Sequence, residues 1–195
     1  PLLRIVDIKE LSKAAHSVGT IVVVDNTFLS PILQKPLELG ADLVLHSTTK
    51  FINGHSDVVG GAVIGKDEEL VNQLFWWANC LGLTGSPFDS FLTLRGIRTL
   101  APRISEHQRN TYEIINFLKT HPLVKKIYYP GLSNHPGHEI AKKQQKGFGS
   151  LLSVEISGGI KKVRTFLSQL KLFSLAESLG GVESLIAHPE TMTHA

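Results

Sequence analysis

The sequence predicts an α/β fold, and three observations carry that prediction. Residues 20–24 form a continuous, mostly β-branched run, TIVVV, bounded by Gly19 and Asp25. Such a run marks a strand buried on both faces. Apolar runs at 43–45 and 58–64 repeat the signal, and helical patterns lie around them. That strand–helix–strand rhythm belongs to a mainly parallel sheet with helices on both faces.

Each element has its own local signal. Residues 7–18 read as a helix: Asp7 and Glu10 have capping-box spacing, Ile8, Leu11, Ala14, Ala15 and Val18 make an apolar stripe, and Gly19 ends it. A short helical stretch containing Pro31 and Pro36 leads to the 43–45 strand. Residues 67–81 read as an acid-started helix carrying Trp76 and Trp77. A glycine-bearing loop follows at 82–87, then a helix at 88–97. Pro102 fits the first turn of a long helix reaching about residue 120, because a proline there removes no needed donor. Beyond it the pattern changes to strands at 124–129, 151–156 and 172–176, with helices near 136–145 and 160–169. Gly147 and Gly149 around Phe148 read as a bend entering a strand. The change places a domain boundary inside the long helix, giving a large domain over 1–107 and a smaller α/β domain over 108–195.

Composition narrows the function. Hydrophobic residues make up 42% and charged residues 19%, enough apolar material for a core. The formal charge is only +3 and no basic run exceeds a pair, which argues against a nucleic-acid or polybasic membrane partner. The apolar runs are too short to span a bilayer, and no secretory signal pattern is visible. The single cysteine, Cys80, cannot close an internal disulfide, which points to a reducing compartment, the cytoplasm. The chain starts at Pro1 without a methionine and stops at Ala195 without a polar tail, so it reads as a piece of a longer protein.

Asp25 and Lys50 carry the chemistry. Each follows the carboxyl end of an expected strand, where open α/β sheets place their ligand crevice. A buried carboxylate stays ionised only beside a cation, and a protonated pyridine nitrogen is one. An amine in a dry site sheds its proton and forms imines with carbonyl groups. Ser47 and Thr49 flank the lysine with short hydroxyls suited to a phosphate. Together these four residues make a cradle for pyridoxal 5'-phosphate (PLP). The plainer alternatives stay open at this level: a strand-end aspartate is often a turn residue, and a lone lysine is often solvated.

Three motifs resemble a known family. The run DLVLHSTTKFINGHS at 42–56 is similar to the PLP-attachment signature of the Cys/Met-metabolism enzymes. VDNT at 24–27 resembles that family's pyridine-nitrogen motif, and SLAESLGGVES at 174–184 resembles its substrate-site segment. The resemblance covers the whole chain. It implies the PLP-dependent transferase architecture (fold type I), a mostly parallel sheet followed by a smaller C-terminal α/β domain. It also implies PLP as cofactor and a homotetramer built from dimers. The family holds cystathionine γ-synthases, cystathionine lyases, methionine γ-lyases and homoserine sulfhydrylases. WWAN at 76–79 followed by GLTG at 82–85 is similar to the bacterial γ-synthase branch. Leu179 and Val182 stand where β-lyases carry an aromatic pair, which argues against that branch. The reaction expected is γ-replacement: O-succinylhomoserine, or another O-acylhomoserine, joins L-cysteine to give cystathionine. A γ-lyase, a sulfhydrylase or an inactive truncated chain are the alternatives.

By the same resemblance, Lys50 matches the Schiff-base lysine and proton shuttle, and Asp25 the pyridinium partner. Ser47 and Thr49 match phosphate contacts, and Thr27 lies near the ring. Ser178 matches a residue near the substrate carboxylate. Glu177 matches a position that recognises the substrate's distal group, with a solvated rim carboxylate as the alternative. The family's ring-stacking tyrosine, glycine-rich phosphate loop, subunit arms and a cofactor-binding asparagine should precede Pro1. Its substrate-clamping arginine should follow Ala195. Other candidates are weaker. His135, His138 and Glu139 have one-turn spacing but match no metal motif. Cys80, Trp76 and Trp77 read as packing or interface residues.

Overall fold

Helix α1 (Ile8–His16) begins where Asp7 accepts a hydrogen bond from the Glu10 amide at 3.1 Å. Lys13 and His16 occupy its last turn, where the helix dipole favours cations. The computed structural model describes residues 1–194. Only Ile8 and Ser12 of α1 are buried, while Leu11 and Val18 face solvent. The expected apolar stripe is therefore covered only at Ile8 and in part at Ala15.

Strand β1 (Val23–Asp25) pairs in parallel with β2 (Leu43–Ser47), setting Val23 opposite Leu43 and Asp25 opposite Leu45. Between them lie α2 (Ser30–Leu33) and a 3-10 turn (Pro36–Leu39), each with a proline at its start. Strand β3 (Gly61–Gly65) returns antiparallel to β2, so the sheet has the order β1-β2-β3 and is mixed. In the run at 20–24 the cover is one-sided. Val22 is 5% exposed, but Ile21 and Val23 are 54% and 49% exposed. Side chains alternate across a strand, and among the described residues β1 is a sheet edge covered on one side. β-Branched content signalled the strand but not its cover. The third strand also starts later than residue 58. The Thr48 and Thr49 amides both donate to the Gly60 carbonyl, which holds the preceding residues in a turn.

Helix α3 (Glu68–Leu81) is capped by Asp67, whose side chain accepts from the Leu70 amide, and ends at left-handed Gly82. Helix α4 (Pro87–Arg98) is capped by Ser86. Helix α5 (Leu100–Lys119) opens two residues before Pro102, so the proline lies in its first turn. Leu100 and Ile104 of α5 meet Leu33 and Phe51 in the core, with Leu29, Ile32, Leu151 and Leu179 packed around them. Burying side chains of this size contributes about 1.5–3 kcal/mol each. The core thus sits directly under the residue that follows Lys50.

The rest of the chain forms β4 (Val124–Tyr128), α6 (His138–Gln144), β5 (Ser153–Ile156), α7 (Gly159–Ser168), β6 (Ser174–Leu175), β7 (Leu185–Ile186) and α8 (Pro189–Met192). Strands β4 and β5 pair antiparallel, β6 and β7 parallel. The strand expected at 172–176 shrinks to two residues, and β7 and α8 carry no periodic signal because each is too short to show one. Fully buried Tyr129 donates to the Gly149 carbonyl at 2.9 Å, anchoring the bend before β5. Among the described residues no helix is long and apolar enough to cross a membrane, and no cluster of metal-ligating side chains forms. His135 and His138 instead bond the Leu2 and Pro130 carbonyls.

Candidate active site

The site grows from the carboxyl ends of β1 and β2. Asp25 closes β1 and accepts a hydrogen bond from the Thr27 amide at 2.9 Å, which turns the chain sharply. Buried Thr27 then accepts from the Ser47 amide at 2.8 Å, lashing the two strand ends together. Asn26, also buried, donates to the Ser30 and Gln34 carbonyls and accepts from the Gln34 side-chain amide Nε2. The turn is fully bonded behind, while the Asp25 carboxylate remains exposed in front.

Immediately after β2 the chain makes a π-helical turn over Thr48–Ile52. Lys50 inside it departs from helical geometry, with φ −92° and ψ −129°. Phe51 and Ile52 enter the core, and Lys50 reaches the other way. Its Nζ donates to Ser178 Oγ at 2.9 Å, joining residues 128 positions apart. Ser178 holds a positive φ of 122°, an unusual state for a residue with a Cβ, costing on the order of 1–3 kcal/mol. Gly180 follows at φ 79°. A Cβ there would lie 2.5 Å from the Phe51 amide nitrogen, so this turn rests on the lysine turn with no room for a side chain. A second bond runs from Ser56 Oγ to Glu183 at 2.8 Å, and it holds the Glu183 carboxyl below the usual carboxylate range.

The expected residues thus fall into three groups. Asp25, Thr27 and Ser47 share the strand ends, and Lys50 meets Ser178 directly. The Thr49 hydroxyl is turned to Gly60, donating to its carbonyl at 3.3 Å and accepting from its amide at 3.0 Å. Ser47 heads the π-helical turn without a side-chain capping bond, so its hydroxyl stays available. Glu177 is exposed beside Ser178 and takes no part in these contacts. Sequence reasoning missed Ser56, Glu183, Arg103 and His46. Ser56 lay within the signature run and Glu183 within the third motif, so both were within reach of the same reading. Burial pushes the pKa of His46 down, and the nearby Asp25 charge opposes this.

The donor set suits a phosphorylated pyridine aldehyde. Lys50 would offer an amine to the aldehyde, Asp25 an anion to the ring nitrogen, and Ser47 a hydroxyl to the phosphate. Thr49 would join it by rotating off the Gly60 carbonyl.

The family model described as Cys/Met metabolism PLP-dependent enzyme matches residues 1–195. The chain belongs to that family. Its cofactor is PLP. The cystathionine gamma-synthase of Escherichia coli K12 is 62% identical over the full chain and 50% of its own length. The cystathionine gamma-lyase of Dictyostelium discoideum is 53% identical over 100% of this chain and 50% of its own. The cystathionine beta-lyase of Coxiella burnetii is 50% identical over 100% of this chain and 51% of its own. A crystal structure of cystathionine gamma synthase from Xanthomonas oryzae pv. oryzae, in complex with aminoacrylate and cysteine, superposes with a TM-score of 0.97. It is 64% identical and covers 100% of this chain and 50% of that one. The chain therefore spans about half the length of the relatives it matches.

Proposed function

We propose that the full-length protein containing this chain performs γ-replacement, joining an O-acylhomoserine, in the first instance O-succinylhomoserine, to L-cysteine to form cystathionine and release the acid. The observation that carries this is the Lys50–Ser178 bond at 2.9 Å, beside the strand ends that hold Asp25 and Ser47. When bound, PLP supplies the electron-withdrawing ring that acidifies the substrate's Cα–H bond. The chain's own groups do the rest. Asp25 would hold the ring nitrogen in its protonated form. The flexible Lys50 stem carries an amine that moves protons at Cα and Cβ. Ser178 orients that amine and lies near the substrate carboxylate. Glu177, at the rim, meets the substrate's distal group. Ser47 would hold the phosphate, joined by Thr49 once its hydroxyl leaves the Gly60 carbonyl.

The preference for synthesis over elimination rests on the higher identity to a γ-synthase than to either lyase. The identity to a γ-lyase supports elimination as the second reading. The same proposal takes a domain boundary near residue 107, supported by separate sheets before and after α5. It also takes a homotetramer, supported by the bare aromatic faces of α3 and α4, and a cytoplasmic setting, supported by the single cysteine. The test is product analysis of the full-length protein with O-succinylhomoserine plus cysteine, with O-succinylhomoserine plus sulfide, and with cystathionine alone. Cystathionine from the first mixture at the highest rate is the expected outcome. Faster breakdown of cystathionine would establish a lyase, and homocysteine formed fastest from sulfide would establish a sulfhydrylase.

A further inference from the structure

Arg103 lies on α5, outside every motif that carried the functional reading. Its guanidinium makes four hydrogen bonds. Nη1 donates to the Phe51 carbonyl at 2.8 Å, and Nη2 to the Gly96 carbonyl at 2.8 Å and the Ile52 carbonyl at 3.4 Å. Nε donates to Thr99 Oγ1 at 3.2 Å. Two of these acceptors are the residues directly after Lys50. Among the described residues Arg103 has no carboxylate partner, and burial pulls its pKa below the ordinary guanidinium value. A half-buried cation without a counter-ion is tolerated only when polar acceptors replace water.

The surroundings are shaped for this contact. A Cβ on Gly54, at φ 74°, would overlap the guanidinium, and a Cβ on Gly96 would overlap the Asn53 carbonyl. Two glycines therefore let α4 and the arginine close onto the turn. From the other side Gly180 rests on the Phe51 amide. The Lys50 backbone lies outside helical geometry, and such a conformation persists only when its neighbours over-determine it. A planar guanidinium meets several carbonyls in one fixed plane, which an ammonium cannot do.

We propose that Arg103 is a positioning residue for Lys50: it clamps the carbonyls of Phe51 and Ile52 and so fixes the backbone from which the lysine reaches the cofactor and Ser178. This rests on Lys50 being the cofactor-bearing amine. The test uses the full-length protein with Arg103→Lys and Arg103→Ala. Amide hydrogen exchange at residues 51–54 of the cofactor-free protein is compared with exchange in the body of α5. Borohydride reduction of the PLP-loaded protein, followed by peptide mapping, reports the rate and place of lysine labelling. Exchange at 51–54 should rise by at least about tenfold in both variants, since losing a bond from a charged donor is of that order. Exchange in α5 should stay near the parent value. Labelling of Lys50 should slow, and millimolar methylguanidinium should restore both readouts in the alanine variant. Parent-like exchange at 51–54, or a loss of protection spread evenly through α5, would overturn the proposal. A parent label on a lysine other than Lys50 would instead sink the functional reading, while the exchange experiment would still report the clamp. The two failures are therefore separable.

Discussion

Replacing Gly180 by alanine in the full-length protein tests how the substrate segment is seated on the lysine turn. Two costs add. Holding an L-residue at φ 79° costs roughly 1–2 kcal/mol. The new Cβ would sit 2.5 Å from the Phe51 amide nitrogen and 2.9 Å from its ring, an overlap costing about 1–3 kcal/mol. Something must move, and the magnitudes decide what. Phe51 is 2% exposed in the central core, where its side chain alone contributes about 1.5–3 kcal/mol. Its carbonyl is also held by Arg103. The turn at 178–181 is held by less: the Lys50–Ser178 bond, worth about 0.5–1.5 kcal/mol, a solvent-screened Ser56–Glu183 bond, and partly buried Leu179. The turn should therefore lift while the core stays. Hydrogen exchange should accelerate at 174–186 with little change in α5. The melting temperature should fall by only a few degrees, and the KM for the acylhomoserine should rise. Parent-like exchange and kinetics would refute the contact geometry, and a collapse in melting temperature would refute the ranking of the two surfaces.

Other perturbations address separate links. Lys50→Ala should abolish borohydride labelling at that position and lower γ-replacement by at least about 100-fold, the scale of a lost general base; a label on Lys66 would defeat the assignment. Asp25→Asn should retain PLP by absorbance yet lose most turnover, and near-normal turnover in the loaded variant would make Asp25 a strand-end cap only. His46 and His107 are pushed below the ordinary histidine pKa by burial, so the unfolded chain binds protons first as pH falls. Their contribution is whole above about 6.5 and is lost as pH drops from there toward the folded values. Glu183, depressed by its Ser56 bond, contributes above about 4.3 and loses this as pH falls through its folded value. Urea midpoints taken between pH 8 and 3.5 would check both, and a flat profile between 7 and 5.5 would contradict the histidine assignment.

The strand ends were legible because their signals are local. A β-branched run followed by Asp25, and an apolar run leading to Lys50, need only a few residues to be read. What escaped was whatever depends on distant packing. The bareness of Ile21 and Val23 depends on what packs on that face of the sheet, which no window of sequence contains. Arg103 reads as one more cation in a helix, and nothing nearby reveals that two of its acceptors lie about fifty positions away. The Lys50–Ser178 pairing joined two motifs that resemblance had placed separately, and only the fold set their atoms in contact. Strand β7 escaped for another reason: a two-residue ladder is shorter than any period that could announce it.

The 128-residue separation between Lys50 and Ser178 also has a meaning in time. At a synthesis rate of about 5–20 residues per second, Ser178 is added roughly 6–26 s after Lys50. Through that interval the π-helical turn has its own strand behind it but no Ser178 on the amine and no Gly180 against Phe51. Arg103 arrives well before either, so the nascent turn gains its rear support first and its front wall last. Lys50 therefore spends its first seconds after synthesis in an unfinished setting, and the walls around its amine close late in the life of the growing chain.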